Sequence, residues 1–277
     1  MVKAIVLGVL AATGVAHADG ADRGFWLGSV DDADHLELTL TTNEYRCDGC
    51  TSTSWISLAL ADLAGQHQLA DGLTVFGQLS VVRQGAVEVP IGYSSDVEWF
   101  AGPATLGLRQ RLRSPTPALT WAVAPSVTIP RNSPEAARLL RPDETFYPSV
   151  LGTLRVALEA RWRPGRWWLA GSLAGAIETP EGLDYALTAR AIGAVGVALS
   201  DEVAAVVEGA VTLIRDVNEC GRCRDVGTLR RPFVGAGLRG AWRHVTLAGH
   251  VGYQLDDDER LTLHTPVAVD FVIGATW

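Results

Sequence analysis

Lysine is nearly missing from this 277-residue chain: Lys3 is the only one, so the remaining positive charge is all arginine. Asp plus Glu (31) outnumber Lys plus Arg (23), giving a net charge of −8. A chain that binds nucleic acid would carry a clustered basic surface, and nothing here suggests one. Cysteine is scarce as well, with four residues in two close pairs. No apolar run after the first residues approaches the ~20 needed for a membrane-spanning helix. Ala191 to Leu199 comes nearest and is too short.

What the chain does have is apolar substance without such a helix: 48% hydrophobic residues and 29 glycines. It opens with Lys3, an apolar stretch from Ile5 to Val15, and Ala16-His17-Ala18. That order is a secretory signal followed by an A-x-A cleavage site, rather than a buried N-terminal element. The expected organisation is a signal peptide over 1–18, an N-terminal periplasmic segment over 19–34, and one β domain over 35–277. Removing Lys3 with the signal would take the net charge from −8 to −9. An exported apolar chain with no spanning helix is either a secreted β protein or a membrane barrel.

Period-two alternation, the mark of a strand, recurs in twelve stretches. They lie near 35–45, 53–65, 72–84, 98–113, 118–130, 148–162, 166–178, 184–199, 203–215, 228–243, 245–255 and 262–277. Most reach ten residues or more, the ~9–11 that a tilted strand needs to cross a bilayer. Ser114–Pro117, Arg163–Gly165, Ser200–Glu202 and Arg243-His244 are tight turns. Longer polar links stand between them: Cys47 to Ser52, Gln84 to Val97, Arg131 to Phe146, Asp216 to Gly227 and Leu255 to Leu261. Short turns at one end and long loops at the other are the pattern of an outer-membrane barrel with both termini in the periplasm. Gln66 to Asp71 is the one longer link expected among the short ones.

Alternation alone leaves open which face is inside. A soluble sandwich buries its apolar face, and a membrane barrel turns it to lipid. The aromatic residues favour the barrel. Trp121, Trp162, Trp167, Trp242 and Trp277 all share the apolar face and all lie near the short-turn end. Tyr185 and Tyr253 hold the same face at the long-loop end. Indole and phenol rings concentrate at membrane–water boundaries, so two sorted girdles predict a bilayer. The last stretch, PVAVDFVIGATW, puts Val267, Val269, Phe271, Ile273, Ala275 and Trp277 on one face. Trp277 then belongs to the girdle of a closing strand, and resembles the terminal aromatic through which such barrels meet their assembly machinery.

With the faces so assigned, the lumen receives Arg109, Arg111, Arg113, Arg155, Arg161, Arg190, Arg231, Arg239 and Arg243. Glu37, Glu159, Glu178, Glu208 and Asp270 join them, together with His250. The candidate pore-lining set is Arg109, Arg111, Arg155, Glu159, Arg190, Glu208, Arg239, His250 and Asp270. Such an interior either conducts and favours anions, or fills itself by pairing its own charges.

Cys47-Asp48-Gly49-Cys50 and Cys220-Gly221-Arg222-Cys223 have the half-site spacing of a four-cysteine zinc site. In an exported chain, disulfides among Cys47, Cys50, Cys220 and Cys223 are the expected outcome, and metal or redox roles are the alternatives. No enzyme is expected. His250 faces the lumen, His244 sits in a turn and His264 lies near an external loop, so no serine–histidine pair reaches the outer face.

The stretch GPATLGLRQRLRSPTPALTWAVAPSVTIP, residues 102–130, resembles the outer-membrane family named for the MetA pathway of phenol degradation. Gly102, Leu106-Gly107, Arg109, Arg111 and Ile129-Pro130 fit its pattern. Pro103, Gln110 and Arg131-Asn132 depart from it. The resemblance implies an outer-membrane barrel that passes small aromatic or apolar compounds, and it supplies no catalytic residue.

Together these readings predict an all-β, up-and-down transmembrane barrel of twelve antiparallel strands in a bacterial outer membrane. It would be a channel for small solutes, with anions or aromatic acids favoured by its arginines. A closed structural or adhesive barrel, binding a partner through its external loops, is the alternative. Its expected partners are outer-membrane lipid and lipopolysaccharide, the assembly machinery and a solute; no cofactor or metal is expected.

Overall fold

The computed structural model describes residues 34–47, 54–87, 98–129, 150–180, 185–217, 228–255 and 267–277. Twelve strands occupy them: β1 His35–Cys47, β2 Ser54–Ala70, β3 Leu73–Val87, β4 Glu98–Arg111, β5 Leu119–Ile129 and β6 Val150–Trp162, then β7 Trp167–Pro180, β8 Tyr185–Ala198, β9 Val203–Val217, β10 Thr228–Trp242, β11 Val245–Gln254 and β12 Val267–Thr276. Each pairs antiparallel with its sequence neighbours. β12 returns to pair with β1, His35 opposite Thr276 and Asn43 opposite Ala268, so the barrel closes and leaves no sheet edge. The expected signal segment and all of 19–34 except Asp34 lie outside the described residues.

All twelve expected strands are present. The expected link from Gln66 to Asp71 is not a loop. β2 runs on through it to Ala70, with a register shift between Gln68 and Ala70, and the chain reverses at Asp71-Gly72. Gly72 takes φ +71°, a left-handed turn position that glycine adopts without steric cost. β4 ends at Arg111, leaving Arg113 exposed in the following turn rather than in the lumen. Arg243 also leaves the expected inward face. It sits in the β10–β11 turn with φ 53°, and its guanidinium lies over the Trp242 ring, 4.8 Å from the centroid.

Burial is inverted relative to a water-soluble protein. Leu106, Leu108, Leu154, Val156, Leu158, Leu247, Val251, Phe271 and Ile273 are exposed on the outer wall, Leu154 to 66%. The residues between them are buried: Arg109 to 4% exposure, Arg239 to 2%, with Glu208, Asp270 and His250 close behind. In water the exposed wall would be a large apolar patch; facing hydrocarbon, it is the stable arrangement. Trp162, Trp167, Trp242 and Trp277 are exposed on this wall at the short-turn end, and Trp121 is half-buried there. Tyr253 is exposed at the opposite end. Among the described residues no helix is long and apolar enough to cross a membrane.

Candidate functional site: the barrel interior

The strands' alternation sends one side chain in two inward, and the barrel's curvature brings those side chains against one another. Three polar groupings result.

The first spans β2, β4 and β6. Arg109 Nε donates to Glu159 Oε2 at 2.7 Å, and Arg109 Nη1 donates to Gln66 Oε1 at 2.7 Å. The guanidinium also stands over the Phe76 ring of β3, 4.9 Å from its centroid. The strands involved are not all neighbours, so these bonds form a chord across the lumen rather than a ladder along its wall. Arg109 is two residues from the short-turn end of β4, and Glu159 three from that of β6.

The second chord joins Arg239 of β10 to Glu37 of β1, with Nη1 donating to Oε1 at 2.7 Å and passing over β11 and β12. Arg239 is three residues from the end of β10 and Glu37 two from the start of β1, so both chords lie toward the short-turn end.

The third grouping lies near mid-barrel. His250 Nδ1 and Asp270 Oδ2 are 3.0 Å apart, and Thr41 Oγ1 donates to Asp270 Oδ1 at 2.6 Å. Asp270 is directly opposite His250 in β11 and Thr41 in β1, so its carboxylate crosses the closing seam. Ser80 Oγ likewise donates to Asp62 inside β2–β3. Charges and amides this buried are stable only when hydrogen-bonded, and the bonds named here meet part of that need.

The interior also carries apolar side chains. Trp168, Ile192, Ala194, Val206, Ala210 and Phe233 form an apolar cluster on the inner wall of β7 to β10. The Trp168 indole is 1% exposed and lies flat over Gly196, where a Cβ would overlap the ring. Its Nε1 has no hydrogen-bond partner among the described residues. The inner wall of β7 to β10 thus interleaves apolar and charged side chains: Glu208 lies between Val206 and Ala210 on β9, and Arg190 two residues before Ile192 on β8.

Of the expected lining set, Arg109, Glu159, Arg239, His250, Asp270 and Glu208 are buried inside. Arg155 and Arg190 are half-buried on the same face, and neither they nor Glu208 stand without a partner. Arg111 is at the mouth instead, 42% exposed and 3.1 Å from Asp71 in the β2–β3 turn. Arg161 is buried inside, whereas the side chains of Arg231 and Glu178 lie outside the described residues. Cys47 ends β1; its side chain, and Cys50, Cys220 and Cys223, lie outside the described residues, as does His264. Sequence reading missed Gln66, because it fell in an expected link, and Trp168, which follows the girdle residue Trp167. Period two alone requires that Trp168 face inward if Trp167 faces out.

No family model matches the chain, and no curated protein matches it closely enough to indicate descent. Solved structures do match. The chain is similar to the COG4313 outer membrane channel from Pseudomonas putida F1, with a TM-score of 0.58 at 12% identity, over 92% of this chain and 99% of that one. It is also similar to the NanC porin, with a TM-score of 0.51 at 6% identity, over 87% of this chain and 98% of that one. At such identities the likeness shows the fold, which is that of an outer-membrane β-barrel. Fold and apolar outer wall together locate the chain in a bacterial outer membrane.

Proposed function

We propose that this barrel is a narrow channel for small solutes whose lumen is constricted, at the short-turn end, by its own paired side chains. The observation that carries the reading is the set of charged side chains enclosed at membrane depth. Ionisable groups enclosed within a membrane span are costly, and are the default place to look for a solute or ion pathway. Arg109–Glu159 and Arg239–Glu37 are the constriction, and a solute passes when those chords yield. The likeness to an outer membrane channel and a porin agrees with this reading.

The favoured solutes are small anions, aromatic acids above all. A carboxylate would meet the guanidinium groups of Arg109, Arg155 or Arg190, and an aromatic ring would meet the Trp168–Phe233 cluster. The resemblance to the MetA-pathway family, which is taken to pass small aromatic compounds, supports the same solute class. The protein is proposed to be a non-enzymatic conduit, and lipopolysaccharide and the barrel-assembly machinery remain its proposed partners.

A second reading has a specific observation behind it. Arg109, Arg239 and His250 are so well buried that the interior is filled in this state, as in a closed structural barrel. Current through the purified protein in a planar bilayer separates the two. Discrete steps with an anion-biased reversal potential are expected. Silence over many insertions would leave the closed barrel standing. Replacing Arg109 and Arg155 by alanine should shift the reversal potential, and an unchanged value would retire the anion preference.

A further inference from the structure

The short-turn end of the barrel is electrically uneven. Two of its turns, residues 112–118 between β4 and β5 and residues 163–166 between β6 and β7, are neighbours because β5 pairs with β6. A backbone bond from Arg163 N to Ala118 O, 2.8 Å, ties one to the other. Together they read Leu-Arg-Ser-Pro-Thr-Pro-Ala and Arg-Pro-Gly-Arg, with no acidic residue in either. Arg113, Arg163 and Arg166 are all exposed there, and Pro115, Pro117 and Pro164 stiffen the backbone that carries them.

The wall directly beneath carries three of the girdle tryptophans: Trp121, Trp162 and Trp167. Trp121 Nε1 donates to Arg113 O at 2.9 Å, so indole and arginine are held in a fixed relation. The rest of the rim differs. Asp71 is engaged by Arg111, and the β8–β9 turn presents Asp201 and Glu202. At the β10–β11 turn, the Arg243 guanidinium is folded onto Trp242.

We infer that the β4–β7 arc of the rim is a binding surface for anionic phospholipid headgroups in the periplasmic leaflet. Short turns face the periplasm in barrels of this class, which places the arc at that leaflet. Indoles seat at the level of the glycerol and carbonyl groups, where a ring can be half wet. The arginines then stand one step further out, at the depth of the phosphates. A guanidinium fork matches a phosphate in two parallel hydrogen bonds, which a lipid with net negative charge retains without competition from its own cation. The inference rests on the membrane placement of the barrel and not on conduction through it.

Quenching of tryptophan emission by brominated lipid tests this. The protein is reconstituted in vesicles containing either brominated phosphatidylglycerol or brominated phosphatidylcholine as the minor component. The glycerol lipid should quench with at least about fivefold higher apparent affinity, roughly the factor one interfacial arginine supplies. The R113Q/R163Q/R166Q variant should lose that preference, and R243Q, at the far side of the rim, should keep it. At about 1 M salt, where the screening length is about 3 Å, wild-type protein should lose it too. Equal affinities in wild-type protein would overturn the inference, as would a preference that survives high salt. A preference retained by the triple variant, or lost equally in R243Q, would overturn it as well. The salt measurement stands even if the triple variant fails to insert.

Discussion

Replacing Glu159 by alanine isolates the energy of the first chord. Its carboxylate is 2.7 Å from Arg109 Nε, and the two side chains are 10% and 5% exposed. Two unit charges at ~4 Å attract by about 4 kcal/mol at an effective dielectric of 20. That attraction is largely offset in the wild type by the cost of taking both groups out of water. In the variant the guanidinium stays buried with, among the described residues, only Gln66 Oε1 to accept from it, so the desolvation is no longer offset. Such half-broken pairs lose about 3–5 kcal/mol. The double variant R109A/E159A buries neither charge and should lose clearly less than the sum of the two single losses. A coupling of about 2–3 kcal/mol between the two sites is expected. Urea titration of the barrel in lipid vesicles, followed by tryptophan emission and extrapolated linearly, reads each value. If E159A costs under about 1 kcal/mol, the worth of a solvated surface pair, the reasoning fails. The lumen at that level would then be wet, and the constriction would not exist. Additive single losses would refute it equally.

Two further outcomes follow from geometry. Gly196→Ala places a methyl group where the Trp168 ring lies, so the indole must move or the strand must shift; a loss of about 1–3 kcal/mol in the same urea titration is expected, and an unchanged midpoint would mean that the ring does not lie flat on the wall. Thr41→Val keeps the shape of the side chain but removes the donor to Asp270, a bond to a charged group worth about 1.5–3 kcal/mol. Its folded form should convert to the unfolded band at lower temperature in gel mobility assays, and conversion at the wild-type temperature would show that the seam does not depend on this bond.

The barrel was legible in the sequence because its physics is repetitive. One residue in two faces hydrocarbon, over ten residues or more, twelve times, and each repetition restates the others. Even Trp277 and the sorted girdle could be placed from spacing alone. The interior was legible as a set and not as pairs. Arg109 and Glu159 are 50 positions apart and Arg239 and Glu37 are 202 apart, so nothing local marks which arginine meets which carboxylate. That depends on curvature, which brings strands two or three places apart within reach. Gln66 was hidden for another reason. Gln-His-Gln is polar on both faces and reads as a link, yet the strand continues through it because Gln66 has Arg109 to bond inside. Arg243 failed the parity rule since its turn takes a left-handed residue, which breaks the alternation at that point.

Asp270 has one partner 20 residues before it and another 229 residues before it. The first strand of the barrel is therefore completed only by the last. In the interval β1 presents a bare row of amide and carbonyl groups, with a threonine in it that no carboxylate has yet met. A barrel so joined gains little from a half-built intermediate, and its waiting edge is the part of the nascent chain that most needs an escort until the circle is complete.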